Sequence, residues 1–203
     1  MNLAIIGSTG LVGKKMLEIL EERNFPIEKI IPVASKKSEG NSIEFNRKQY
    51  RVISIENSLN EKIDIALFSA GAEVSLEWAP KFSNKGIYVI DNSSAWRMDD
   101  GVKLIIPEIN GSLLESTDRI IANPNCSTIQ LVTVLKPIHD AFSIKRVVVS
   151  TYQSTSGAGK KAMDELFNQT LDVYKNKHLK QKIFTKRIAF NLIPHIDKFL
   201  DDL

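Results

Sequence analysis

The sequence predicts an α/β protein whose N-terminal part is a doubly wound parallel sheet. Its first apolar run, Asn2 to Ile6, leads into a glycine-rich turn and a helical pattern. Short apolar runs then alternate with helical patterns as far as residue 122. The 203 residues are 43% hydrophobic and 25% charged, which excludes a disordered tail and a fibrous repeat. No apolar run approaches the roughly 20 residues that a membrane helix needs.

The first 34 residues predict a βαβ unit. Residues 2–6 form a short apolar run typical of buried parallel strands. A helix follows the glycines, and Pro26 is placed to end it. The expected apolar face of this helix is formed by Val12, Met16, Ile19 and Leu20. A second strand is predicted at residues 30–34.

Further strands and helices continue the alternation. The patterns predict a hairpin within 43–55, strands at 63–68 and 87–90, a helix at 74–82, and short strands at 104–106 and 119–122.

The alternation of short strands and helices changes near residue 125. A helix is expected after Cys126, with an apolar stripe of Leu131, Val134, Leu135, Ile138 and Phe142. A strand is expected at 145–152. Another helix should follow, with a stripe of Met163, Leu166, Phe167, Leu171 and Tyr174. Because no Ser/Gly-rich linker separates the halves, we predict domains at 1–124 and 125–203 that are joined directly.

Glycines at 7, 10 and 13 stand where the first strand meets the first helix. Glycine there allows a tight turn and a close approach of backbone to a diphosphate, and the helix N-terminus offers N–H groups to the anion. The position within a βαβ unit favours a Rossmann-like dinucleotide site over a merely structural turn.

The end of the second strand indicates which dinucleotide is bound. An NAD site normally has an acidic residue there for the ribose hydroxyls, but here the chain runs into Lys36, Lys37 and Ser38 before the first acid, Glu39. Ammonium and hydroxyl groups suit a 2′-phosphate, so we predict NADP. The alternative is that both lysines are simply solvated.

Charge and cysteine usage limit the partners and the compartment. The net charge is only +3, and the basic residues are scattered apart from two clusters. Nucleic-acid binders usually show a much stronger basic bias with interleaved aromatics, so solvated surface is favoured over nucleic-acid binding. The clusters are Lys36 with Lys37, and Lys175, Lys177, Lys180, Lys182, Lys186 and Arg187. A single cysteine allows no intrachain disulfide, which fits a reducing cytoplasm. No metal site is predicted.

That cysteine, Cys126, follows Asn123, Pro124 and Asn125 at the start of a predicted helix. Helix N–H groups and the helix dipole stabilise a thiolate in this position. The same N–H groups can stabilise an oxyanion when the thiolate attacks a carbonyl. The alternative is a small buried apolar residue, the commonest environment of a free cysteine.

Eight motifs occur in a fixed order along the chain. They are Gly-Ser-Thr-Gly-Leu-Val-Gly at 7–13, Ser-Ala-Gly at 69–71, Asp-Asn-Ser-Ser-Ala-Trp-Arg at 91–97, Pro-Glu-Ile-Asn at 107–110, Asn-Pro-Asn-Cys-Ser-Thr at 123–128, Ser-Thr-Tyr-Gln at 150–153, Ser-Gly-Ala-Gly at 156–159 and Asn-Leu-Ile-Pro-His-Ile-Asp at 191–197. Together they resemble the bacterial aspartate-β-semialdehyde dehydrogenases. The match runs through the whole chain.

The resemblance implies an activity. The family interconverts L-aspartyl-4-phosphate and L-aspartate-4-semialdehyde with NADPH, in lysine (through diaminopimelate), methionine and threonine biosynthesis. By resemblance, Cys126 is the nucleophile that becomes an acyl thioester and Gln153 positions the substrate. Arg97 binds phosphate, for which its fork geometry is suited, and Asn125 assists. The implied NADP contacts are Thr9, Gly10, Leu11, Val12, Lys37, Ser38, Ser156 and Gly157.

The resemblance also implies a second, α+β catalytic and dimerisation domain, of which residues 125–203 would be the N-terminal portion, and a homodimer for the full-length protein. Each residue has a plainer alternative: Gln153 could cap backbone groups, Arg97 could pair with Asp99 or Asp100, and residues 156–159 could be only a turn.

The family's catalytic histidine and carboxylate-binding arginine have no counterpart here. His139 would lie roughly 20 Å along the helix from Cys126; His178 lies in the lysine-rich loop, and His195 fits a packing role better. We therefore expect a fragment of the enzyme. The alternatives are a non-catalytic NADP-binding relative and N-acetyl-γ-glutamyl-phosphate reductase, which uses similar chemistry.

Overall fold

The structure is a computed structural model that describes residues 1–196. It divides into two compact units, which comprise residues 1–150 and residues 151–203. No helix among the described residues has the length and apolar content needed to cross a membrane.

The first unit is built on a six-stranded parallel sheet with the order β2-β1-β5-β6-β8-β7. A separate antiparallel hairpin pairs β3 with β4. The strands are β1 (Asn2–Ile6), β2 (Lys29–Val33), β3 (Ser42–Phe45), β4 (Lys48–Arg51), β5 (Ile65–Phe68), β6 (Tyr88–Asp91), β7 (Lys103–Leu104) and β8 (Ile120–Ala122). The predicted parallel sheet and the hairpin within 43–55 are confirmed.

The helices follow the strands in alternation. They are α1 (Leu11–Glu22), α2 (Ile55–Ser58), α3 (Ala72–Ser83), α4 (Pro107–Asn110), α5 (Cys126–Phe142) and α6 (Lys160–Tyr174). Short 3₁₀ turns lie at Lys36–Ser38, Gly111–Leu113 and Thr155–Ala158.

Strand β1 shows why this sheet is covered on both faces. Its side chains alternate: Ala4 and Ile6 pack in one buried cluster with residues of α3, and Leu3 and Ile5 pack in another with Leu17 of α1. Side chains of successive strand residues point to opposite faces. Because β1 is apolar from Leu3 to Ile6, both faces of the sheet must be covered there. The doubly wound architecture follows directly from this run of apolar residues.

The order of the strands reverses between β1 and β5. The chain moves from β1 outward to β2 and then returns to place β5 on the other side of β1. In open α/β sheets, ligands bind at the carboxyl ends of the strands where this reversal occurs. The glycine turn that begins at Gly7 lies at this point, because the N–H of Ser69, just after β5, donates to the carbonyl of Ile6 at 2.8 Å.

Two expectations in the first unit are wrong. Val12 lies in the first turn of α1 with 46% of its surface exposed, and the buried face of the helix is centred on Leu17, with Met16 and Leu20 partly buried beside it. The strand expected at 145–152 is absent, and Val148 is 80% exposed. A strand needs a neighbour for its backbone hydrogen bonds, and none of the described strands of this unit pairs with that segment.

The apolar stripes of α5 and α6 exist as the sequence predicts, but they are not buried. Within its unit, α5 has no fully buried residue, and Phe142 is 81% exposed. In the second unit, Phe167 and Tyr174 of α6 are also mostly exposed. Helical periodicity locates an apolar face, but burial requires an opposing surface, which each described unit supplies only in part: Leu131, Leu135 and Leu166 are half-buried.

The second unit is organised by two buried polar side chains on α6. The Glu165 carboxylate accepts hydrogen bonds from the backbone N–H groups of Lys182, Ile183 and Phe184. Gln169, one turn later, donates to Glu165 and accepts from the N–H groups of residues 188 and 189. These bonds attach the loop at 180–189, which has no helix or strand, to α6.

We expect Gly13→Ala to lower the free energy of unfolding by about 2–3 kcal/mol, measured by urea denaturation. A Cβ at Gly13 would lie 2.3 Å from the carbonyl oxygen of Gly7, and both atoms belong to the same tight turn. The control is Gly111→Ala, whose Cβ would make an ordinary 3.8 Å contact with Pro107 and should cost less than about 0.5 kcal/mol. Equal effects of the two substitutions would contradict the steric argument.

Candidate active site

Four segments of the first unit follow the carboxyl ends of strands and carry most of the predicted site residues. They are residues 7–13 after β1, 34–38 after β2, 92–97 after β6 and 123–126 after β8. Because all six strands of the sheet are parallel, these segments leave it at one edge.

The glycine turn leaves the N-terminus of α1 open. The N–H groups of Gly7 and Ser8 donate to the carbonyl of Val33 at 2.8 and 3.0 Å, which anchors the turn to β2. No side chain caps α1 at Gly10, and its first turn carries no acidic residue. The first N–H groups of a helix lack intrahelical acceptors and favour an anion.

Side chains are excluded from this turn by close backbone contacts. Gly7 has a φ of +95°, and a Cβ there would lie 2.4 Å from the carbonyl oxygen of Ser69. A Cβ at Gly13 would be equally crowded. The turn therefore has no side chains at these two positions, where a diphosphate would approach the backbone. The residues present therefore fit a dinucleotide diphosphate, with Thr9, Gly10, Leu11 and Val12 as the expected contacts.

The segment after β2 forms a 3₁₀ turn, Lys36–Ser38. The Lys36 ammonium is 3.9 Å from the Glu56 carboxylate, and both side chains are exposed. A backbone N–H bond lowers the pKa of Glu56, and the Ser54 hydroxyl and Lys36 lower it further. No carboxylate of residues 1–196 forms an ion pair with Lys37, which lies exposed beside the half-buried Ser38. Of the two lysines, Lys36 is close to a carboxylate and Lys37 is not, so the charge of Lys37 is the more available to an anion.

Cys126 is the first residue of α5 and is exposed, which disagrees with the alternative of a buried apolar thiol. Asn125 caps the helix, since its Oδ1 accepts from the N–H of Ser127 at 2.9 Å. The same oxygen lies 4.0 Å from the Cys126 sulfur. The preceding Pro124 is buried and fixes the start of the helix. The thiol is thus presented at a capped helix N-terminus.

Arg97 is bound to the loop that carries Cys126. Its Nε donates to the carbonyl of Asn123 at 2.9 Å, and its Nη2 donates to the carbonyl of Asn92 at 3.1 Å. The alternative pairing with Asp99 or Asp100 is wrong: the Asp99 carboxylate accepts from Gly101 N–H, and no ion pair joins Arg97 to a carboxylate of the described residues. One edge of the guanidinium is thus used on carbonyls, and the Nη1 end keeps its donors.

The segment that holds Arg97 is fixed at two further points. The Ser93 hydroxyl donates to the buried Asp91 carboxylate at 2.6 Å. The Trp96 indole donates to the hydroxyl of Ser75, a buried residue of α3, at 2.9 Å. Trp96 also packs against the core cluster that contains α3. The segment that carries Arg97 is therefore anchored to β6 through Asp91 and to α3 through Ser75.

Sequence reasoning missed the side chains of Asn92 and Asn123. The Asn123 Nδ2 donates to the Asn92 Oδ1 at 2.6 Å, a contact across 31 residues of chain. Both asparagines lie inside motifs that the sequence displays, but only the adjacency of β6 and β8 brings them together. The missing signal was the strand order.

The remaining predicted residues belong to the second unit. Gln153 is exposed and donates to the Thr151 hydroxyl at 3.3 Å. Ser156 and Gly157 lie in the 3₁₀ turn Thr155–Ala158, which the Ser154 hydroxyl caps by accepting from Ser156 N–H. These three stay predicted site residues. Sequence reasoning missed Glu165 and Gln169 in this unit.

The one histidine of the first unit, His139, adds no base beside Cys126. His139 lies in the last turn of α5, at the opposite end from Cys126. His178 and His195 are exposed residues of the second unit. Nor do residues 1–196 hold any group of three or more His, Cys, Asp or Glu suited to a metal ion.

Two family models match the chain. Residues 2–117 match the model described as "Semialdehyde dehydrogenase, NAD binding domain", and residues 135–203 match "Semialdehyde dehydrogenase, dimerisation domain". The chain belongs to the semialdehyde dehydrogenase family. Its N-terminal unit is accordingly of the class that binds a nicotinamide dinucleotide, and the predicted class of the second domain is confirmed.

Individual relatives agree with the family. Aspartate-semialdehyde dehydrogenase of Aquifex aeolicus is 54% identical over 98% of this chain and 60% of its own length. The crystal structure of aspartate semialdehyde dehydrogenase II from Vibrio cholerae superposes with a TM-score of 0.92 at 47% identity, over 99% of this chain and 61% of that one. A second structure of that enzyme, complexed with ASA, has a TM-score of 0.93. The chain thus spans about 60% of the length of these relatives.

We expect Asn125→Asp to slow the alkylation of Cys126 by iodoacetamide about three- to tenfold at neutral pH. Aspartate keeps the helix cap but places a negative charge near the sulfur, where Asn125 Oδ1 lies at 4.0 Å. The matched control is Asn125→Ser, a neutral cap, which should stay within about twofold of the wild type. An unchanged rate in Asn125→Asp would show that the thiol does not sense this position.

Proposed function

We propose that this chain is the N-terminal part of an aspartate-semialdehyde dehydrogenase, which reduces L-aspartyl-4-phosphate to L-aspartate-4-semialdehyde with NADPH. The observation that carries the proposal is the attachment of Arg97 to the loop of Cys126, through the carbonyl of Asn123. A nucleophile at a helix N-terminus beside a guanidinium suits an acyl phosphate. The names of the relatives favour the aspartyl substrate over N-acetyl-γ-glutamyl phosphate.

Cys126 begins the proposed reaction. Its thiolate attacks the acyl carbon of the substrate, the bond from that carbon to the phosphate oxygen breaks, and inorganic phosphate leaves with the electron pair. A thioester remains on the sulfur. Helix N–H groups at the start of α5 stabilise the oxyanion that forms during attack. NADPH, when bound, supplies the hydride that reduces the thioester carbon, after which the aldehyde leaves and Cys126 regains its thiolate.

Arg97 and Asn125 have the proposed role of holding the phosphate. The guanidinium carries a full positive charge with no carboxylate partner among residues 1–196, and its Nη1 donors stay available. A dianion beside such a cation is stabilised, and the leaving group departs more readily. Gln153 carries the proposed role of orienting the substrate.

The nucleotide contacts are proposed in three groups. Thr9 to Val12 bind the diphosphate at the uncapped start of α1. Lys37 and Ser38 bind the 2′-phosphate that distinguishes NADP from NAD. Ser156 and Gly157 complete the set. The domain boundary at residue 124, a cytoplasmic location and a homodimer of the full-length protein belong to the same proposal, which involves neither nucleic acid nor a membrane.

Thioester formation tests the proposed chemistry without requiring turnover. Purified chain is mixed with aspartyl phosphate and its mass is measured under acidic quench, with Cys126→Ser as the control. The expected result is a single aspartyl adduct on Cys126 and none on the control. Phosphate-dependent reduction of NADP by aspartate semialdehyde, followed by ultraviolet absorbance, then measures turnover. Absence of the adduct would contradict the proposed function.

We expect Lys37→Ala to raise the Kd for NADPH about five- to tenfold and to change the Kd for NADH less than twofold. The reason is that Lys37 is proposed to meet only the 2′-phosphate, which NADH lacks. Nucleotide fluorescence measures both constants. Lys36→Ala is the matched control, because Lys36 is already near Glu56, and its effect on NADPH should be smaller. Equal losses for both nucleotides would contradict the assignment.

A further inference from the structure

We infer that the hydrogen bond between the side chains of Asn92 and Asn123 positions Arg97 relative to Cys126. Both asparagines are positioning residues, since they act through the arginine. The inference rests on the proposed function, because it assigns Arg97 the task of holding phosphate next to the thiol. Neither asparagine side chain was among the predicted site residues.

The sheet delivers the two asparagines to the same place. Strands β6 and β8 are parallel neighbours, with Asp91 in register with Ala122. Asn92 and Asn123 are the next residues of each chain segment, and the N–H of Asn123 donates to the carbonyl of Asp91 at 2.8 Å. The side-chain bond of 2.6 Å therefore joins two loops at the point where both leave the sheet.

Arg97 bridges the two loops that the Asn92–Asn123 bond connects, a connection called the joint below, with one edge of its guanidinium. Nε donates to the carbonyl of Asn123 and Nη2 to the carbonyl of Asn92, at 2.9 and 3.1 Å. A planar guanidinium can make both bonds only while the two carbonyls keep one separation. The asparagine side chains hold that separation, because they join the same two residues whose carbonyls the arginine uses.

The joint fixes direction as well as distance. With Nε and one Nη2 proton engaged, the remaining donors are the second Nη2 proton and the two Nη1 protons, which point away from the bonded edge. Cys126 follows Asn123 by three residues through the buried Pro124. A change in the Asn92–Asn123 bond thus alters where the arginine stands relative to the loop that presents the sulfur.

The joint is also electrically neutral, which preserves the charge of Arg97. Amides and carbonyls meet the guanidinium where carboxylates would cancel its charge. Asp91, which directly precedes Asn92, is buried and accepts from the N–H and hydroxyl of Ser93. Arg97 can therefore offer an undiminished charge to a phosphate dianion.

The experiment measures how inorganic phosphate protects Cys126 of the whole purified chain from iodoacetamide. In the wild type, phosphate should slow alkylation with a measurable half-protecting concentration. Asn92→Ala should raise that concentration about five- to tenfold, while the alkylation rate without phosphate stays within about twofold. Asn123→Ala and the double variant should show the same rise, because all three lack one and the same bond.

Matched variants separate positioning from folding. Asn110→Ala breaks a similar asparagine bridge, to Ile106 N–H and the Leu104 carbonyl after β7, and should leave phosphate protection unchanged. Asn92→Ser removes the bond with a smaller cavity, so it replaces Asn92→Ala if thermal unfolding shows that the alanine variant does not fold.

The outcomes distinguish the inference from the proposed function. If Arg97→Lys leaves protection as in the wild type, phosphate does not bind at Arg97 and the proposed function itself is contradicted. If Arg97→Lys abolishes protection but Asn92→Ala and Asn92→Ser do not weaken it, only the inference is overturned. Additive losses in the double variant would also overturn it, because two independent effects would replace the single bond.

Discussion

The carboxyl ends of parallel strands meet at one edge of a sheet, and the described chemistry of the first unit depends on that constraint. The glycine turn, the lysine turn, the arginine loop and the cysteine loop each follow a different strand. They lie at one edge of the sheet only because β1, β2, β6 and β8 run in one direction. Burial of both sheet faces fixes the positions of the strands, so the same apolar strand residues that form the core also fix the edge that carries the site.

At this edge, main-chain groups rather than side chains form the anion-binding turn and orient the arginine. Helix α1 begins without a side-chain cap, and the turn before it excludes Cβ atoms at Gly7 and Gly13. Arg97 is oriented by two main-chain carbonyls. Fixed main-chain groups lose little entropy when a ligand binds, so an edge built in this way is preorganised for anions.

The sequence predicted the first unit well because strand and helix periods are local properties. The strand at 2–6, the helix after Cys126 and the hairpin at 43–55 needed no tertiary information. The strand expected at 145–152 is absent, since strand pairing depends on a partner strand. The apolar stripes of α5 and α6 were located correctly, but their exposure could not be predicted, because burial depends on a partner surface. In the site, the sequence predicted the exposed cysteine and the arginine by motif. It missed Asn92 and Asn123, whose contact depends on β8 lying beside β6.

The loop at 180–189 is recognised by α6 through its main chain. Glu165 and Gln169 bind the N–H groups of residues 182, 183, 184, 188 and 189 and the carbonyl of Lys180. Every residue except proline carries those groups. The side chains of the loop, including its lysines, can therefore be replaced without changing the course of its backbone. Glu165 and Gln169 on α6 cannot be replaced in the same way, because their side chains make the bonds. The side chains of this loop can therefore vary in charge and size while α6 keeps its backbone conformation unchanged.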